Sequence, residues 1–289
     1  MKCRICSSNC QIVYSDMIYL GKYSSSLYHC NRCDFLQLDR VTWLDEAYQE
    51  SISITDTGIV SRNLDLSRKV LVLLSALNSN LRLNKFLLIF LRIFFKGLLG
   101  RIFTRFKGKI LDFGGGYGLL VRMLRDFGLD AYWTDPYSKN LFSKGFDGSL
   151  ENSFECLISF EVLEHLLEPD THFQNILIEQ SPRFYIFSTE SYGEKIPPQN
   201  WWYFSFLTGQ HISFYNQKTF SYIARKYNYH SYSINQSFHL FSKEKLNIKL
   251  IKFLVERSDI FYNYAKINYD SLTWSDHDKM IKSLENKIK

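Results

Sequence analysis

The chain has 289 residues, 46% of them hydrophobic and 17% aromatic, with a formal net charge of +6. This composition excludes a disordered or fibrous protein and leaves room for a full core, in one domain with an appendage or in two. The mildly basic balance, with a pI near 8.8, permits an anionic partner without requiring one.

The first residues, MKCRICSSNC, lack the apolar run of a secretion signal. The nearest approach to a membrane span, FLLIFLRIFFKGLL, is broken by Arg92 and Lys96. A cytoplasmic protein with reduced thiols is the expectation. Five of the six cysteines lie in the first 33 residues, and four form two CxxC knuckles, Cys3/Cys6 and Cys30/Cys33. A CxxC turn points two thiolates at one tetrahedral ion, and a second knuckle completes the shell. Residues 1–42 therefore read as a zinc ribbon whose metal is structural, because four cysteines leave no open position. Disulfides are the alternative. Cys10 is a spare that could replace a ligand, and Cys156 sits in an apolar run and reads as core.

Residues 43–106 read as a helical linker. Between Asp65 and Asp112 there is no acidic residue but ten Lys or Arg. On a helical wheel Arg82, Lys85, Arg92 and Lys96 share one side, beside an apolar arc of Leu83, Phe86, Leu87, Phe90 and Phe94. Two readings stand open: a basic amphipathic helix over 82–106 resting on an anionic membrane at its inner face, or a helix packed on the main domain with solvated cations.

From about Lys107 strand and helix alternate. A strand over Lys109–Phe113 carries Asp112 near its carboxyl end. Gly114, Gly115, Gly116 and Gly118 then turn into a helix, Leu119–Phe127, closed by Gly128, with Met123 and Leu124 on its core side. Such a loop lets a ligand approach backbone N–H groups. A GxGxxG dinucleotide fingerprint would need a third glycine where Leu119 stands. A second strand, Ala131–Thr134, ends at Asp135, where an acidic residue can accept hydrogen bonds from ribose hydroxyls. The third strand, in FECLISF, ends at Phe160, and SFEVLEH is expected to open a helix. That helix would set Glu161, Glu164 and His165 on one face. A strand over Arg183–Glu190, a helix in QKTFSYIARKYN and an antiparallel pair, YHSYSINQ with FHLFSKE, complete the domain to about 245. Residues 246–289 are expected as a C-terminal helical extension.

The pattern Asp112-x-Gly114-x-Gly116-x-Gly118 resembles the class I S-adenosylmethionine-dependent methyltransferases. The likeness runs from about Lys107 to Lys245, plus the knuckles. Methyltransferases of sugars and glycan precursors look similar: cysteine knuckles, the glycine loop, EVLEH and a late segment that here reads GQHISFYN, Gly209–Asn216. WWYF, Trp201–Phe204, precedes that segment. Trp43 to Asn63 looks like the family's linker, with Arg62 and Asn63 as candidates to close over the donor. The resemblance implies an α/β Rossmann-like fold with a seven-stranded sheet. It implies S-adenosylmethionine bound by Asp112, Gly114, Gly116, Gly118 and Asp135, with Phe160 and Glu161 facing the methyl group. It also implies an acceptor in a surface-polysaccharide or nucleotide-sugar pathway, methylated on a hydroxyl or a carbon, so that the chain serves glycan biosynthesis. The basic insertion at 66–111 departs from that pattern. An RNA or quinone O-methyltransferase, or a catalytically inactive methyltransferase-fold binding module, is the alternative. Nucleic acid is not the expected partner, because the cations border a Phe/Leu stripe.

Three readings compete for EVLEH. Small-RNA 2′-O-methyltransferases and quinone O-methyltransferases carry a similar E-x-x-E-H and bind a divalent cation with it, and His211 could be a further ligand. Alternatively His211 or His165, with Glu161 beside them, removes the acceptor's proton. Or the acids only favour a helix N-terminus and His165 ties down a loop. His211 stands out among the histidines because it lies in a loop. The aromatic loop Ser191–His211, with Pro197, Pro198, Trp201, Trp202, Tyr203 and Phe204, suits sugar faces, a lid or packing on the sheet.

Overall fold

A computed structural model describes residues 1–48, 56–77 and 103–288. The basic stripe of Arg82, Lys85, Arg92 and Lys96, and the apolar arc beside it, lie outside the described residues. No helix among the described residues is long and apolar enough to cross a membrane.

The strands, in chain order, are β1 Gln11–Tyr19, β2 Tyr23–His29, β3 Leu36–Leu38, β4 Ile110–Phe113, β5 Ala131–Thr134, β6 Cys156–Phe160, β7 Phe184–Ser188, β8 Ser213–Phe214, β9 His230–Ser233 and β10 Phe238–Ser242. The chain divides into two compact units, and each is built from separated segments. One combines Met1–Thr55 with Cys156–Leu246, the other Asp56–Glu155 with Asn247–Lys289. The sequence blocks 1–42, 43–106, 107–245 and 246–289 follow chain order, whereas the units do not.

In the first unit β1, β2 and β3 form an antiparallel ribbon, and β8 adds to it by pairing Leu36 with Phe214 and Gln37 with Ser213. The ribbon's core is shared. Met17, Tyr19, Leu27, Leu36, Leu38 and Trp43 pack with Tyr192, Tyr203, Phe204, Ile212 and Phe214. So few residues could not bury enough apolar surface alone. The same unit holds a second layer in which β6 and β7 are parallel, β7 and β10 antiparallel, and β10 and β9 antiparallel. CLISF, FYIFS and FHLFS are buried almost throughout, as strands covered on both faces must be. The helix Gln217–Lys226 starts where expected, because Asn216 and Thr219 form a reciprocal capping box.

In the second unit β4 and β5 pair in parallel, joined through the helix Leu119–Asp126. The helix Ile59–Leu77 buries Leu66, Val70, Leu71, Leu73, Leu74 and Leu77. It packs on Leu119–Asp126 and on two helices of the extension, Ile248–Val255 and Ser258–Lys266. The last helix, Thr273–Ile288, buries only Asp276, which grips Arg125 with two hydrogen bonds of 2.7 and 2.8 Å.

The parallel pairs and the strand–helix alternation fit a Rossmann-like α/β class. Apart from the ribbon there are six strands among the described residues, not the expected seven. The chain that follows β10 cannot supply another, because IKLIKFLV carries its apolar residues at helical spacing and forms a helix. A second expectation also fails: SFEVLEH opens no α-helix. Glu161 takes a left-handed φ of +56° and Val162 a φ of −124°. A single 3-10 turn, Leu163–His165, follows and ends in extended backbone at Leu166. The helix begins only at Pro169, whose fixed φ and missing N–H suit a first helical position, and it runs into one π turn, Asn175–Gln180.

Candidate active site

The glycine loop belongs to the second unit. Gly114, Gly116 and Gly118 take φ of +75°, +53° and +82°, conformations that side chains with a Cβ avoid. A Cβ on Gly115 would come within 2.8 Å of Asp112 Oδ2 and of the Trp133 ring, whereas one on Gly116 would point into open space. The Trp133 indole N–H donates to the Gly116 carbonyl at 2.8 Å. The Gly116 N–H donates to Asp135 Oδ2 at 2.9 Å, and the N–H groups of Tyr137 and Ser138 donate to Oδ1 at 2.8 Å each. A carboxylate offers about four acceptor sites, so Asp135 organises its own loop and keeps little capacity for a ribose.

Asp112 is only 2% exposed, and its Oδ2 has no hydrogen-bond partner. Burial, with the Asp135 charge adding to it, pushes its carboxyl up to about 8. An unpartnered acidic group beside an open glycine cradle fits a ligand that brings positive charge. S-adenosylmethionine, with its ammonium and sulfonium, is such a ligand. Arg62 forms an ion pair with Asp56 at 2.6 Å, and the Asn63 amide donates to the Ile59 carbonyl. Leu124 is core, as expected.

The EVLEH residues belong to the first unit. Phe160 stacks on Phe238, ring centroids 5.7 Å apart. The Glu161 N–H donates to Ser188 Oγ at 2.9 Å, and the Ser188 hydroxyl donates to Glu161 Oε1 at 2.6 Å. That clasp holds the left-handed turn at the end of β6. Glu164, wholly buried, accepts the Tyr203 hydroxyl on Oε1 at 2.7 Å, while its Oε2 has no partner.

His165 and His211 meet, with ring centroids 5.0 Å apart. His165 Nδ1 lies 3.0 Å from the Gln210 carbonyl, and His211 Nδ1 lies 2.8 Å from the Tyr203 carbonyl. A carbonyl only accepts, so each Nδ1 carries the hydrogen and each Nε2 is left with its lone pair. One ligand atom each from Glu164, His165 and His211 lie within 4.8 Å of one another, and Glu161 is not in this group. Burial, reinforced by neighbouring His165, lowers His211 to about 3. A neutral imidazole suits a metal ligand, and a pKa that low is poorly matched to taking a proton near neutral pH.

The four cysteines of the knuckles also converge. Cys3 Sγ lies 3.6 Å from Cys33 Sγ and Cys6 Sγ lies 3.4 Å from Cys30 Sγ, and all four fall within 4.8 Å of one another. A tetrahedron with zinc–sulfur bonds of about 2.3 Å has edges of roughly 3.8 Å, so the cluster fits zinc in size and donor type. Cys10 is outside that group. Burial and the thiols around it push it up to about 12. Cys156 is buried in β6.

The aromatic loop divides by role. Tyr203 and Phe204 are buried in the ribbon core, whereas Trp202 is 72% exposed, its ring 5.1 Å from that of Tyr203. Sequence reasoning missed Gln210 and the Tyr203 hydroxyl as supports of the cluster, and Ser188 as the clasp on Glu161. No spacing marks them, since each acts across the fold.

A family profile described as "Methyltransferase domain" matches residues 86–233. No curated protein matches the chain. Among solved structures the chain is similar to the methyltransferase domain of bacterial CtHen1-C, at 16% identity over 47% of this chain and 90% of that one, with a TM-score of 0.32. It is also similar to a Thermotoga maritima S-adenosylmethionine-dependent methyltransferase described as a possible histamine N-methyltransferase, at 11% identity over 65% and 92%, TM-score 0.40. A third likeness is to a Haloferax volcanii putative methyltransferase in complex with the Trm112 activator, at 13% identity over 52% and 88%, TM-score 0.37. Likenesses this distant add nothing about the acceptor.

Proposed function

The chain belongs to the methyltransferase-domain family and is an S-adenosylmethionine-dependent methyltransferase; we propose that it methylates one hydroxyl of an acceptor with two adjacent oxygens, a sugar diol of glycan or nucleotide-sugar chemistry. The observation that carries this reading is the gathering of one ligand atom each from Glu164, His165 and His211 within 4.8 Å, with Glu164 Oε2 left unpartnered. Glu164, His165 and His211 would hold the ion, and a set of two imidazoles and one carboxylate suits a divalent transition metal such as manganese better than magnesium. A bound ion would supply Lewis-acid chemistry there, lowering the pKa of an acceptor hydroxyl.

The remaining work falls to the chain's own groups. The Gln210 and Tyr203 carbonyls fix the two rings through Nδ1–H, and the Tyr203 hydroxyl fixes the Glu164 carboxylate. The glycine loop, Asp112 and what remains of Asp135 hold the donor. The exposed Trp202 ring offers a face to the CH groups of a sugar. Methyl transfer is an in-line displacement at carbon, so alignment and exclusion of water supply most of the rate. The sugar acceptor rests on the likeness in the knuckles, EVLEH and GQHISFYN.

Two measurements test the reading. Calorimetry should show donor binding, and none at millimolar donor overturns the methyltransferase assignment for the isolated protein. Manganese should bind one per chain at a site lost in Glu164→Gln and in His165→Ala. Parent protein that binds manganese no better than these variants sinks the cation reading.

A further inference from the structure

The segment that delivers His211 is held by the zinc ribbon. Trp43, 1% exposed, stacks on Tyr19 at 5.1 Å and donates its indole N–H to the Gly209 carbonyl at 2.8 Å. Gly209 sits at φ +65°, and a Cβ there would come within 2.7 Å of the Trp43 Nε1. One residue on, the Gln210 side chain donates to the Ala47 carbonyl at 2.8 Å, and its own carbonyl receives His165 Nδ1. After His211, the Ile212 N–H donates to the Glu164 carbonyl at 2.8 Å, and the Ile212 carbonyl accepts the Leu38 N–H at 3.2 Å. Then β8 joins β3. Residues 209–214 are thus pinned by Trp43, Ala47 and β3 on one side and by Glu164 and His165 on the other.

The second cysteine knuckle leads directly into that support. The Asp34 N–H donates to the Cys30 carbonyl, the Cys30 N–H donates to the Phe35 carbonyl, and β3 begins at Leu36. The metal that fixes Cys30 and Cys33 therefore also fixes the strand on which β8 docks.

We infer that the ribbon is a positioning device for the Glu164–His165–His211 site, with Trp43 as the positioning residue that sets Gly209 and, through it, the His211 ring. The inference rests on the cation reading of that site. It couples two metals: loss of ribbon zinc weakens the second site and, by linkage, loss of the second ion weakens zinc binding by the same factor, although no ligand is shared.

Trp43→Phe tests it, since phenylalanine keeps a ring against Tyr19 and removes the N–H donor together with part of the buried indole. The variant should keep its far-ultraviolet spectrum and one zinc per chain, while manganese affinity, followed by the electron spin resonance of the free ion, falls at least threefold. Affinity within threefold of the parent overturns the inference. The histidine ¹⁵N shifts of metal-free protein give a second reading without any ion. They should move for His211 in the variant, and unchanged shifts also overturn it. If the parent itself binds no manganese, the cation reading fails, and the ¹⁵N shifts still decide whether Trp43 positions His211. Should Trp43→Phe not fold, Gly209→Ala is measured in the same way, with the same outcomes expected.

Discussion

Replacing Asp112 by Asn should make the ligand-free protein more stable and the donor weaker-binding. The unfolded chain ionises this carboxyl near 3.8, whereas the folded chain keeps its proton up to about 8. Between those values the native state binds more protons than the unfolded state, so stability falls as pH rises from about 4 to about 8. Each pH unit in that window costs about 1.4 kcal/mol, which comes to roughly 4 kcal/mol at pH 7. The asparagine amide must still be buried without a partner, at about 1–2 kcal/mol, so the net gain is about 2–3 kcal/mol at pH 7, vanishes near pH 5 and reverses below it. Urea unfolding of both proteins across pH 5 to 7.5 reads this directly. The curves should diverge by about 1.4 kcal/mol per pH unit, and parallel curves refute the buried, protonated carboxyl. The same state predicts that donor binding at pH 7 releases up to about one proton, because a positive ligand favours the carboxylate. Calorimetry in buffers of different ionisation enthalpy measures that release.

Asp276→Ala should destabilise the second unit by about 2–3 kcal/mol, the range for hydrogen bonds to charged groups, because Arg125 keeps Asp130 and Arg122 keeps Asp126. It removes the carboxylate that binds Arg125 through two N–H groups and Arg122 through a third. Burial pushes the Asp276 carboxyl up, but the two guanidiniums outweigh it and hold it below its ordinary value. The pair's contribution is therefore present above about pH 4 and fades as acid titrates the folded carboxyl, so parent and variant should converge in stability at low pH. Stripping zinc with a strong chelator should unfold the ribbon, seen as four newly titratable thiols and loss of the Tyr19–Trp43 stacking signal in near-ultraviolet dichroism.

Local signals in the sequence were read well where a local cause decides the structure. Gly114, Gly116 and Gly118 take the left-handed angles that only glycine adopts freely, and the strand over Ala131–Thr134 falls where expected. The four-cysteine cluster is legible because ligand spacing is itself local. The EVLEH turn was misread because its shape is set from β7: Ser188 Oγ takes the Glu161 N–H and turns the chain the other way. Asp135 has the right spacing for a ribose, yet the loop's own N–H groups claim most of it. β8 left no trace in the pattern, since two residues are too few for a period to show. The meeting of His165 and His211 could be posed from sequence as a question but not answered, because nothing in their spacing encodes the turn that brings the two rings within 5.0 Å of each other.

The late arrival of β8 also bears on the order of events during synthesis. β3 is made at residue 36, but its partner strand emerges about 175 residues later, on the order of ten to thirty seconds at ordinary rates of elongation. Until then Leu36 and Leu38 border an open strand edge, the kind of surface on which chains pair wrongly. Zinc taken up early by Cys3, Cys6, Cys30 and Cys33 would hold that edge in a folded ribbon while it waits, so metal supply during translation should govern how much of the chain reaches the native state and how much aggregates.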